Sequence, residues 1–152
     1  MKLAEALIIR SDYQKRLDQL KVRLGQNVKI QEGEVPNEDP KELEKELSHL
    51  LVQLRKIIKR INRTNLQTPF DENQSLADAL TDRDLLGQER KIYSGLLAQA
   101  TVRQDRYSKS EIKFISTINV KATQDYADEL SRKFRVCDTR IQELNWLTNL
   151  VD

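Results

Sequence analysis

Apolar residues recur along this chain at steps of three and four over long stretches, and four such stretches can be marked. The cleanest lies near the end of the sequence: Val120, Thr123, Ala127, Leu130, Phe134, Cys137, Ile141, Leu144, Thr148 and Val151. Residues so spaced lie along one side of an α-helix and meet a partner helix by knobs-into-holes packing. The spacing predicts a helix over 120–151, about 48 Å long at about 1.5 Å per residue. So long a rod needs other long helices to cover it.

The other stretches supply them. Leu3, Ala6, Arg10, Tyr13, Leu17, Leu20 and Leu24, widened by Leu7, predict a first helix over about 2–29. Gly33, Pro36 and Pro40 break the pattern in 31–40. Asp39 is placed to cap the next helix, with Pro40 at its first position and Glu42 completing a box-like start. Leu43, Leu47, Leu50, Leu54, Ile57 and Ile61, broadened by Leu51 and Ile58, carry that second helix to about Asn65. After a loop at 66–74, Leu76, Ala79, Arg83, Leu86, Arg90, Tyr93, Leu97 and Ala100 predict a third helix over about 75–100, with Leu85, Ile92 and Leu96 widening its apolar face. Gly87, Gly95 and a bend near Thr81 argue against an unbroken rod there.

Between the third and fourth stretches the period changes. Ile112, Phe114, Ser116 and Ile118 alternate with Lys113, Ile115 and Thr117, which reads as a strand, or as half of a hairpin turning near Ser108–Ser110. The expected fold is therefore mainly α: one domain over 1–152, an antiparallel bundle of about four long helices with a short β-strand or hairpin near 103–118.

Composition agrees with long helices. Charged residues make up 33% of the chain and aromatics 5%, with 4 Gly and 3 Pro. The net charge of +2, from 26 basic and 24 acidic residues, provides no whole-molecule attraction for nucleic acid or an anionic membrane. No apolar run approaches the length of about 18 residues that a membrane span needs, and the opening stretch Met1–Ile9 has no cleavage-site pattern. A reducing cytoplasm is the simplest location. The single cysteine, Cys137, cannot form an internal disulfide and reads as a small core residue.

Candidate chemistry is sparse. The one histidine, His49, stands three residues after Glu46, a spacing used by metal sites in bundles, but the pair occurs once and no metal or cofactor is expected. No Gly-rich phosphate loop and no doubled acidic motif occurs. Arg10, Arg83 and Arg90 occupy apolar-seam positions, where a guanidinium is costly unless paired. Three readings follow: snorkelling at the seam's edge, structural ion pairs, or convergence on a small anionic ligand. The bases Arg55, Lys56, Lys59, Arg60 and Arg63 crowd the end of the second helix, while Glu42, Glu44 and Glu46 open it. That polarity complements the helix dipole, and this account is preferred to a nucleic-acid patch. Asn62, Arg63 and Asn65 there, together with Arg106 and Tyr107, form the second place to look for a ligand site.

Several strings invite comparison: M-K-L-A-E-A-L at the start, Q-E-G-E and E-D-P around the first loop, R-I-N-R-T-N at 60–65, R-Q-D-R-Y-S at 103–108, S-E-I-K at 110–113 and D-T-R-I-Q-E-L-N-W at 138–146. Over essentially its whole length the chain resembles a family of short bacterial proteins, some of them labelled septicolysin. The resemblance implies a long-helix bundle with a small β excursion, and the label implies a cytolytic toxin.

The residues themselves favour a non-enzymatic helical protein that self-associates as a homo-oligomer, because one thin bundle cannot hide all the apolar stripe. Neither a membrane nor nucleic acid is an expected partner. A module or enzyme for a small anionic ligand, built on the clustered arginines, is the alternative, and membrane lysis is the third.

Overall fold

A computed structural model describes residues 1–101 and 112–152 of the chain. Four long helices account for most of them: α1 (Leu3–Asn27), α2 (Pro40–Gln67), α3 (Leu76–Ala100) and α4 (Val120–Leu147). The fold is mainly α, as the three-four spacing requires. Residues 112–119 form no strand; the remainder of the expected hairpin, with its turn at Ser108–Ser110, lies outside the described residues. Alternation alone does not make a strand without a partner to complete the hydrogen-bond ladder.

The chain divides into two compact units, one of Met1–Leu76 with Gln142–Asp152 and the other of Ala77–Ile141. In the first, α1 and α2 pack as an antiparallel pair. Leu20, Leu43 and Leu50 form its buried centre, flanked by Tyr13, Leu17, Leu24 and Leu47. Burying a leucine side chain fully is worth about 1.5–3 kcal/mol, so this cluster is what holds the pair shut. Asp39 caps α2 by accepting from the Lys41 amide, and Pro40 takes the first position, both as expected. Glu42 does not close a capping box; its carboxylate accepts from Lys45 Nζ at 2.6 Å.

The loop from α1 to α2 is tied by polar contacts that periodicity does not reveal. Buried Asn27 donates to Arg23 O and accepts from the Glu38 amide. Arg23 grips the Glu38 carboxylate with Nε at 3.0 Å and Nη2 at 2.5 Å, and its Nη1 lies 3.6 Å from Glu46. Gly33 supplies the left-handed turn, with φ of 88°.

The fourth helix stops at Leu147 rather than continuing to Val151. Its last carbonyls are diverted. Thr148 O accepts from the Leu3 amide, the Leu150 amide donates to Met1 O, and Lys2 Nζ caps Leu147 O. This short antiparallel bridge between Lys2 and Asn149 competes with further helix and wins.

In the second unit α3 and α4 also run antiparallel. α3 is unbroken through Thr81, Gly87 and Gly95. Ala79, Ala127, Leu130 and Ile141 are its buried residues on the two helices.

Candidate functional site

The seam arginines of α3 are engaged within their own unit. Arg83 Nη1 donates to Asp138 Oδ1 on α4 at 3.0 Å, and its Nε and Nη2 donate to Asp84 Oδ1 at 3.1 and 2.9 Å. Partial burial weakens the hold of this guanidinium on its proton, but the bonds to Asp84 and Asp138 outweigh it and the pKa is raised. About two helical turns further on, the Arg90 guanidinium carbon lies 4.7 Å from the centre of the Phe134 ring, a cation–π stack. Tyr126 stands edge-on to Tyr93 with centroids 4.9 Å apart, and its hydroxyl donates to Glu89 Oε1 at 2.6 Å. That hydrogen bond, aided by burial, raises the phenol's pKa. Cys137 points its thiol at Ala79 O, 3.6 Å away, and burial pushes the thiol pKa up, away from the reactive thiolate. Arg10 is half-buried on α1 and belongs to the first unit, so the three seam arginines are not gathered within one unit.

The last turns of α2 are organised differently. Lys56, Lys59, Arg60 and Arg63 follow one another at three, one and three residues and so share one side of the helix. With Asp152 they line an open hollow of about 360 Å³. Arg60 is held firmly: Nε donates to Val151 O and Nη2 to Asp152 Oδ1, both at 2.9 Å. Arg63 Nη1 donates to Asp152 O at 3.0 Å. Beneath them the buried Thr64 hydroxyl donates to Arg60 O and accepts from the Val151 amide at 3.1 Å. Lys56 and Lys59 are exposed and make no ion pair among the described residues.

This geometry changes the account of the basic cluster. α2 continues to Gln67, and no basic residue lies in its last turn. A helix dipole acts on charges only within that turn. The cations therefore stand too far back for dipole complementarity to explain them. Of the residues expected here, Arg63 borders the hollow, Asn62 is exposed and Asn65 is half-buried. Arg106 and Tyr107 lie outside the described residues. Lys56, Lys59 and Arg60, which the charge pattern assigns to dipole complementarity rather than to a ligand site, border the hollow as well.

A second surface stands out by its lack of polarity. Leu85, Ile92 and Leu96, on the outer side of α3, are 56, 62 and 44% exposed. Ile112, Phe114 and Ile115 are still more open, and Phe114 and Ile115 share a shallow depression with Leu96.

Residues 10–150 match a family described as a family of unknown function (DUF6847). The chain is also similar to a protein of known crystal structure, described as a functionally unknown conserved protein from Corynebacterium diphtheriae. The two are 44% identical, the match covers 99% of each chain, and the TM-score is 0.93. No curated protein matches.

Proposed function

The chain thus belongs to the DUF6847 family, and we propose that its role is structural: a helical protein that associates with copies of itself through the outer side of α3. One observation supports this reading above others. α3 carries two apolar stripes, not one. Leu76, Ala79, Leu86, Tyr93 and Leu97 face inward, whereas Leu85, Ile92 and Leu96, at steps of seven and four, face solvent. A helix apolar on two sides normally buries both. The second unit has only α4 to offer among its described helices.

The open stripe has coiled-coil spacing and merges with exposed Phe114 and Ile115, extending the patch beyond scattered surface leucines. A second copy, laid antiparallel about a two-fold axis, would meet the same stripe with its own, the self-complementary arrangement of most homodimers. For the lytic reading that the septicolysin label implies, the described residues contain no helix long and apolar enough to cross a membrane.

Light scattering on a sizing column at tens of micromolar should give a mass that is a multiple of 17.8 kDa. Leu85→Glu with Ile92→Glu should return the monomer without loss of helical signal. A wild-type monomer at that concentration overturns the reading.

A further inference from the structure

We propose that the hollow on the last turns of α2 is a binding site for a compact phosphate-bearing anion, such as a pyrophosphate or short polyphosphate group. The inference concerns the first unit alone and does not depend on self-association through α3. Four cations, Lys56, Lys59, Arg60 and Arg63, line a space of about 360 Å³ with Asp152, whose side chain meets Arg60 and whose main-chain oxygen meets Arg63. No acid follows Glu46 on α2, so the helix supplies nothing that neutralises them. Their charge is not absorbed by the helix terminus either, because the helix ends one turn beyond Arg63.

The arginines are pre-oriented. Arg60 is only 23% exposed in its side chain and is fixed through Nε to Val151 O and through Nη2 to Asp152 Oδ1. Arg63 is held by Asp152 O. A guanidinium already immobilised loses little freedom on meeting a ligand, and its planar fork suits oxyanion geometry. Arg60 Nη2 already meets one carboxylate oxygen, Asp152 Oδ1, at 2.9 Å. The two lysines, exposed and without an ion pair among the described residues, are the charges left for an external one.

Size sets the class of ligand. From Lys56 to Arg63 the cations span about 10 Å of helix axis, enough for two or three linked phosphates. A longer polyanion would need a basic track continuing beyond this face, and a net charge of +2 for the whole chain provides little.

The test is calorimetric titration of the full chain with pyrophosphate at low salt. Wild type should bind, and Lys56→Ala with Lys59→Ala should weaken binding at least tenfold. Both lysines are exposed, and neither makes an ion pair among the described residues, so the helical signal should be unchanged. Asp152→Asn should bind at least twofold more tightly, because it removes the competing carboxylate while keeping the main-chain contacts. Lys41→Ala, at the opposite end of α2, should bind as wild type does. The proposal is overturned by an absence of binding at millimolar pyrophosphate, or by wild-type affinity in the double variant. It is equally overturned by a comparable loss in Lys41→Ala, by weaker binding in Asp152→Asn, or by a single-stranded oligonucleotide that binds more tightly than pyrophosphate.

Discussion

Gly87 lies so close to Phe134 that a Cβ built on it would stand 3.1 Å from the ring's Cε2. The ring in turn carries the Arg90 guanidinium on its face. Gly95, two turns along the same helix, has nothing within 4 Å of the same position. Alanine in a helix interior is worth about 0.5–1 kcal/mol over glycine. Gly95→Ala should therefore raise stability by about that amount. Gly87→Ala gains the same propensity but must displace the ring and disturb the stack, so its gain should be smaller or reversed. Thermal melts of the two variants decide this. Equal gains would mean that Phe134 yields freely and that the close approach constrains nothing.

Glu38 and Arg23 make stability depend on pH in a definite direction. The hydrogen bonds from Arg23 and its charge hold the Glu38 carboxyl below the usual glutamate range, against the opposing effect of burial. A lowered folded pKa means that the carboxylate form favours the fold. The contribution is present above the unfolded value of about 4.3 and is lost as pH falls through the lower folded value. Glu38→Gln should therefore melt below wild type at neutral pH, and the gap should close in acid, as pH falls through the lowered folded value. Salt should narrow it, since both side chains are substantially exposed. A gap unchanged between neutral and acidic solution would show that Glu38 acts through packing or its amide rather than its charge.

The helices were legible because one kind of signal repeats. Leu43, Leu50, Leu54, Ile57 and Ile61 are all buried, and their spacing alone places α2. Asp39 and Pro40 fixed its start for the local reasons that cap any helix. Where the reading missed, a distant partner decided. Thr148 and Val151 continue the seam of α4, but the backbone beyond Leu147 pairs with Met1–Leu3, and no local pattern announces that exchange. By spacing Leu85, Ile92 and Leu96 broaden an inward face, yet they are exposed; periodicity cannot say that the second unit has too few helices to cover them.

The site was legible only in part, for a related reason. The one-sided run of Lys56, Lys59, Arg60 and Arg63 is written in the sequence. Its meaning depended on where α2 ends and on what lies against it. Arg60 meets Val151 and Asp152 across about ninety residues of chain, a contact that neither spacing nor composition encodes. Arg83 is the opposite case. A guanidinium on an apolar stripe had to find a partner, and Asp138 with Asp84 is that partner. The requirement was visible; the identity of the acid on α4 was not.

Thr64 is the hinge of the arrangement around the α2 hollow, and it can be isolated. Its side chain is buried, its hydroxyl donates to Arg60 O at 2.8 Å, and it accepts from the Val151 amide at 3.1 Å. Valine has nearly the same shape but no hydroxyl, so Thr64→Val removes both bonds and leaves the half-buried Val151 amide without an acceptor. Such an orphaned donor costs about 1–3 kcal/mol. The loss should be local before it is global. Hydrogen exchange at the Val151 amide should speed up by one to two orders of magnitude, an expectation on the order of that same energy. Amides at the centre of the Leu20–Leu43–Leu50 cluster should change far less. Because Val151 O and Asp152 orient Arg60, loosening this segment should also free that guanidinium. Unaltered protection at Val151 would show that the tail is held by the arginines and by the Leu150–Met1 bond without help from the threonine.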